Sequence, residues 1–124
     1  MADKAAALAL ALPLLLLLLS FTSKTLLVVH GQQQQQKTWC VAKASSEAAV
    51  LLANIDYACS QSGVDCSIME KGCPCSSPDT LINRASIAMN LYYQANGRNH
   101  WNCHFRNSAL VVITDPSYGK CIYA

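Results

Sequence analysis

The chain has 124 residues, with nine Lys and Arg against seven Asp and Glu, a formal charge of +2 when histidine is neutral. That balance excludes a nucleic-acid footprint, which needs a basic face or stripe, and it excludes a polybasic membrane arm. Seven cysteines, all beyond residue 39, point to an oxidising compartment and a domain held by disulfides.

After Lys4, residues 5–19 are uncharged and almost wholly Ala and Leu. The run is too short to span a bilayer comfortably and has the size of a signal-peptide apolar region. A second apolar patch, residues 26–29, leads to Val29-His30-Gly31, whose small residues sit at signal-peptidase offsets. Residues 1–31 therefore read as a signal peptide cleaved after Gly31, with cleavage near Ser20 or Ser23 as the alternative and an uncleaved anchor as the rival. The remaining 93 residues keep seven basic and six acidic side chains and make one domain with a modest core. Such a balance suits a neutral or weakly charged partner.

Gln32 to Gln36 is a polar low-complexity tract, and residues 32–37 read as a disordered mature N-terminus ahead of a domain at 38–124. Thr38-Trp39-Cys40-Val41-Ala42 has strand-type residues. Ser45-Ser46-Glu47 marks a helix start, and Ala48, Leu52, Ile55 and Cys59 define one face of a helix over roughly residues 46–60. Residues 67–76 form an irregular link.

The central element is then Ser77 to Gly97. Ser77 is a candidate N-cap, Pro78 suits the first helical position, Asp79 complements the dipole, and Asn96-Gly97 is a stop signal. Leu81, Ala85, Ala88 and Tyr92 share one face, widened by Ile82, Met89 and Tyr93. Residues 98–102 read as a loop and Cys103-His104-Phe105 as a strand. Residues 109–114 are the strongest strand signal, and the Asp115-Pro116-Ser117-Tyr118-Gly119 turn returns Lys120 to Tyr123 as its antiparallel partner. The fold class is α+β, a small disulfide-rich domain of two helices on a small antiparallel sheet.

Several of these pieces carry a resemblance. Trp39-Cys40-Val41-Ala42, Asp56-Tyr57-Ala58-Cys59, Cys66, Pro74-Cys75, Ala85-Ser86, Asn90, Tyr92-Tyr93-Gln94, Cys103, Phe105 and the stretch Asp115 to Cys121 stand in the order seen in the plant X8 domain. That family is also called carbohydrate-binding module family 43. The resemblance spans about residues 38–123 and implies a secreted, non-catalytic module that binds β-1,3-glucan, including callose, in the cell wall or apoplast. It also implies disulfides Cys40–Cys103, Cys59–Cys66 and Cys75–Cys121, a pairing that spacing alone leaves open. Cys73 stands where the family usually has glycine, so it is the odd thiol, either free or joined to a second copy. Ile87 and Met89 replace aromatics common on the family's helix. After Ala124 there is no attachment site, spacer or apolar tail, so no glycosylphosphatidylinositol anchor is expected.

Sugar rings have apolar C–H faces and hydroxyl rims, which suit tyrosine and tryptophan, with amides and carboxylates reading the hydroxyls. The candidate ligand residues are Tyr92, Tyr93, Trp101 and Tyr118, with Asn90, Gln94 and Asp115 as polar partners. Tyr92 and Tyr93 point about 100° apart on a helix, so they cannot share one platform and one belongs to the core. Trp39 and Phe105 read as packing. A glycosidase needs two facing carboxyl groups, and the six remaining acids show no arranged pair. Zinc would need reduced thiols, and Cys73, Cys75, His100, Cys103 and His104 match no common zinc spacing, so no metal or cofactor is expected. A cysteine-stabilised structural or defensive wall protein without sugar binding is the remaining alternative.

Overall fold

Two strands and two helices frame the domain in a computed structural model that describes residues 36–124. The signal-peptide reading of residues 1–31, and the Gln tract up to residue 35, lie outside the described residues. Strand β1 (Trp39–Ala42) pairs antiparallel with β2 (Ala109–Val112), Trp39 opposite Val112 and Ala42 opposite Ala109. Helix α1 (Ala48–Cys59) and helix α2 (Leu81–Ala95) pack against each other, and α2 also lies along β1. Short 3-10 turns occupy Ser67–Met69 and His100–Cys103. The α+β reading holds.

Helix α2 is the central beam. Residues 85–90 are all buried, which requires neighbours on nearly every side of the helix. Ile87 and Ala88 join one core cluster with Trp39, Ala58, Met69 and Tyr123, while Ala85, Met89 and Tyr93 join another with Cys40, Leu51 and Ala109. The start differs from the sequence reading. Ser77 is not the cap and Pro78 is outside the helix. The Thr80 N–H donates to the Pro78 carbonyl in a tight turn, and the Thr80 hydroxyl accepts the Asn83 N–H at 3.3 Å. Asp79 lies before the helix and pairs with Arg84 at 3.6 Å. The stop at Asn96 and at Gly97, with φ of +90°, matches the sequence signal.

The buried face of α1 is Leu51, Asn54 and Ala58, whereas Ala48 and Leu52 face solvent. The expected Ala48–Leu52 stripe is therefore turned by about one position. The reason is Asn54, a polar residue that periodicity assigns to solvent but that points inward to hydrogen-bond the 105–108 turn.

Two strand expectations also change. Cys103 ends a 3-10 turn, and Phe105 begins a left-handed turn through Asn107. The partner of β2 is β1, while Lys120 to Tyr123 contributes only a single bridge between Tyr118 and Cys121.

Three disulfides join Cys40 to Cys103, Cys59 to Cys66 and Cys75 to Cys121, and Cys73 is free and half-buried. The Cys75–Cys121 bridge lies beside Tyr123 in the first cluster. Burial, reinforced by the nearby Tyr118, pushes the Tyr123 phenol up to about 12. A folded-state value above the ordinary value of about 10 leaves this contribution intact below pH 10. It is lost as pH rises from about 10 towards 12. Urea midpoints should therefore fall more steeply across that window in the wild type than in Tyr123→Phe; equal slopes would contradict the assignment.

Candidate functional site

The first outcome for the candidate ligand residues is that three of them serve β1. Among the described residues its outer edge has no third strand, and α2 supplies side chains in place of one. The Ser86 hydroxyl accepts the Ala42 N–H at 3.0 Å, Asn90 Oδ1 accepts the Cys40 N–H at 3.1 Å, and Gln94 Nε2 donates to the Thr38 carbonyl at 2.9 Å. The spacing works because four helical residues rise about 6 Å while two strand residues advance about 6.7 Å. Along the antiparallel run the side chains lengthen from Ser to Asn to Gln, which absorbs the growing mismatch. Asn90 is 1% exposed, and its Oδ1 also accepts from Gln94 Nε2 at 3.2 Å.

Tyr93 belongs to the same assembly. Its ring is buried in the second core cluster and its hydroxyl lies 2.7 Å from Thr38 Oγ1. Of the tyrosine pair, Tyr93 is thus the core member.

Tyr92 points elsewhere, as the helical offset requires. It is half-buried, its ring centroid 5.6 Å from that of Tyr57 on α1 and 5.5 Å from that of Phe105. The planes meet at 57° and 73°, so the three rings form a bent cluster, not a flat platform. Hydrogen bonding with Tyr57, then burial, pushes the Tyr92 hydroxyl above its ordinary value, and the Asn102 amide opposes this. Tyr57 is half-exposed, and Trp101, next to Asn102 in the chain, is 72% exposed on the His100–Cys103 turn. Cys103 anchors that turn to β1 through Cys40.

The terminal turn is a third location. Asp115 Oδ1 accepts from the Ser117 hydroxyl at 2.6 Å and from the Ser117 N–H at 2.9 Å, bonds that hold its carboxyl below the usual range. The Tyr118 hydroxyl donates to the Ser77 carbonyl at 2.8 Å and accepts from Asn83 Nδ2 at 2.7 Å. Asp115 is thus taken up by its own turn, and Tyr118 by the entry to α2.

The seven candidates do not converge. Tyr92 alone of them lies in the aromatic cluster, whose other members, Tyr57 and Phe105, had not been assigned to ligand. The signal for Tyr57 was available, since on a helical projection it lies opposite the Ala48, Leu52, Ile55 and Cys59 face and therefore points outward. An open groove of about 980 Å³ lies apart, between the end of α1, the 64–71 segment and the start of α2. Asp65, Glu70, Asp79, Lys71 and Arg84 line it together with Ile55 and Met69, and no aromatic side chain does.

Comparison with known proteins bears on these places. Residues 38–110 match the X8 domain. The major pollen allergen Ole e 10 of Olea europaea is 44% identical over 90 residues, 73% of each chain. Plasmodesmata callose-binding protein 5 of Arabidopsis thaliana is 38% identical over 99 residues, 80% of this chain and 55% of that protein. A glucan endo-1,3-beta-D-glucosidase of Olea europaea is 46% identical over 84 residues, 68% of this chain but 18% of the enzyme. The shared portion is thus a small part of the glucosidase.

Proposed function

The chain belongs to the X8 domain family, and we propose that it is a non-catalytic module that binds β-1,3-glucan of the callose type in the extracellular wall of plant cells. The observation that carries this reading is the bent cluster of Tyr57, Tyr92 and Phe105, with neighbouring rings 5.6 and 5.5 Å apart and steeply inclined. Inclined rings offer apolar faces in several directions, and phenol tips offer donors and acceptors for sugar hydroxyls. A β-1,3-linked chain curves, so successive rings turn their C–H faces in different directions. A β-1,4-linked chain runs as a flat ribbon and calls for coplanar aromatics. In this reading Trp101, exposed on the neighbouring turn, extends the contact.

The absence of catalysis in this proposal has its own support. Asp65, Glu70 and Asp79 share a groove, yet Asp79 is paired with Arg84 and Asp65 accepts from the Ser67 N–H at 3.0 Å. That bond and the Ser67 hydroxyl hold the Asp65 carboxyl below its ordinary range. A glycosidase's general acid needs the opposite shift.

The test is retention on insoluble β-1,3-glucan with cellulose as control. The oxidised protein should be retained on the first and pass the second; no retention on β-1,3-glucan would overturn the reading. Tyr57→Ala should weaken laminarin binding about tenfold, the equivalent of roughly 1.4 kcal/mol, because one exposed aromatic contact is lost. Its thermal midpoint should stay near that of the wild type, since Tyr57 is half-exposed. Affinity electrophoresis and a melting curve on the same preparation read both quantities. Unchanged mobility in laminarin would remove Tyr57 from the site.

A further inference from the structure

Three consecutive residues that are not glycine, Phe105, Arg106 and Asn107, have φ of +46°, +54° and +63°. Left-handed backbone is disfavoured for residues with a Cβ, least so for asparagine, so a run of three needs support from its surroundings. Hydrogen bonds from the surrounding segments supply that support. The Phe105 carbonyl accepts from the Ser108 N–H at 3.1 Å, from the Ser108 hydroxyl in a short bond, and from Asn54 Nδ2 at 3.5 Å. Asn54 Nδ2 also donates to Ser108 Oγ at 2.7 Å. The Ser108 carbonyl in turn accepts from the Lys43 N–H at 2.8 Å and from the Ser46 hydroxyl at 3.2 Å. Lys43 Nζ closes the far end, donating to Asn107 Oδ1 at 2.7 Å.

Asn54 and Ser108 are buried, at 7% and 3% exposure, so the bond between them is shielded from competing water. The side chain that the turn presents is Phe105, which stands edge-on to Tyr92. We propose that Asn54 and Ser108 are positioning residues for glucan recognition, holding the left-handed turn so that the Phe105 ring is fixed against Tyr92 before ligand arrives. The inference rests on the glucan-binding reading above. Its physical content is pre-organisation: a ring already held needs no ordering when the sugar binds.

The test is a double-mutant cycle on laminarin affinity with Asn54→Ala and Phe105→Ala, together with proton NMR of the Tyr92 ring, which senses the Phe105 ring current. Each single variant should bind about fivefold more weakly, a loss of the size one hydrogen bond or aromatic contact carries. The double variant should bind no more weakly than Phe105→Ala alone. The Tyr92 resonances of Asn54→Ala should move to their positions in Phe105→Ala. Additive losses, or a lowered melting point with Tyr92 resonances and affinity unchanged, would overturn the proposal. If Asn54→Ala fails to fold, Ser108→Ala removes the bond from Asn54 Nδ2 to Ser108 Oγ and the Ser108 hydroxyl's bond to the Phe105 carbonyl while leaving almost no cavity, and is read the same way. Should the wild type not bind laminarin, the functional reading falls, and the Tyr92 resonances still decide whether Asn54 fixes Phe105.

Discussion

The Cys40→Ala/Cys103→Ala variant is expected to lose about 4 kcal/mol of stability, estimated from the entropy of closing a long loop in the unfolded chain. The bridge spans a sequence separation of 63, and Cys75–Cys121 spans 46, whereas Cys59–Cys66 spans 7. By the same relation the short bridge contributes roughly 2.5 kcal/mol. For a small domain, whose total stability is on the order of 5–15 kcal/mol, the first loss is a large share of the whole. It also reaches the site, because Cys103 holds the segment carrying Trp101, Asn102 and Phe105 against β1. Urea unfolding should therefore rank Cys40→Ala/Cys103→Ala well below Cys59→Ala/Cys66→Ala. Laminarin binding should fall sharply in the first and survive in the second. Equal destabilisation by the two pairs would refute the loop-length account.

What could be read from residues alone follows a physical division. Helix α2 was legible through its apolar spacing and its Asn96-Gly97 stop, and β1 and β2 through their runs of strand-type residues. The helix start was not, because Ser77 and Thr80 are both acceptable caps and only the turn at Pro78 decides between them. The 103–107 segment misled for a different reason. Its residue types suit a strand or an ordinary turn, while its left-handed backbone depends on Asn54, Ser46 and Lys43, far away in the chain. Long-range side-chain bonds to backbone leave no local periodicity. The same blindness governs the candidate site. Asn90 and Gln94 have the right chemistry to read sugar hydroxyls, and nothing in a one-dimensional pattern says that β1 claims them first.

Asn90→Ala should be the most damaging single substitution at that edge, costing about 2–4 kcal/mol, since a buried donor left without a partner costs roughly 1–3 kcal/mol and a small void is added. The orphaned donor would be the Cys40 N–H, in a residue with no exposed surface. Gln94 Nε2 would lose one of its two acceptors as well. At about 4–8 °C per kcal/mol for a domain of this size, the melting temperature should fall by roughly 8–32 °C. Ser86→Ala, which orphans the Ala42 N–H alone, should fall less. Gln94→Ala should fall least, because its half-buried position lets water replace the bond to Thr38. Differential scanning calorimetry on the three variants measures the order Asn90, Ser86, Gln94. The order distinguishes a strand-edge role from a ligand role, for a residue that reads sugar hydroxyls would lower affinity while leaving the melting curve in place. An Asn90→Ala protein that melts with the wild type but passes unretarded through laminarin would put Asn90 back in the binding site and dismantle the side-chain ladder as the support of β1.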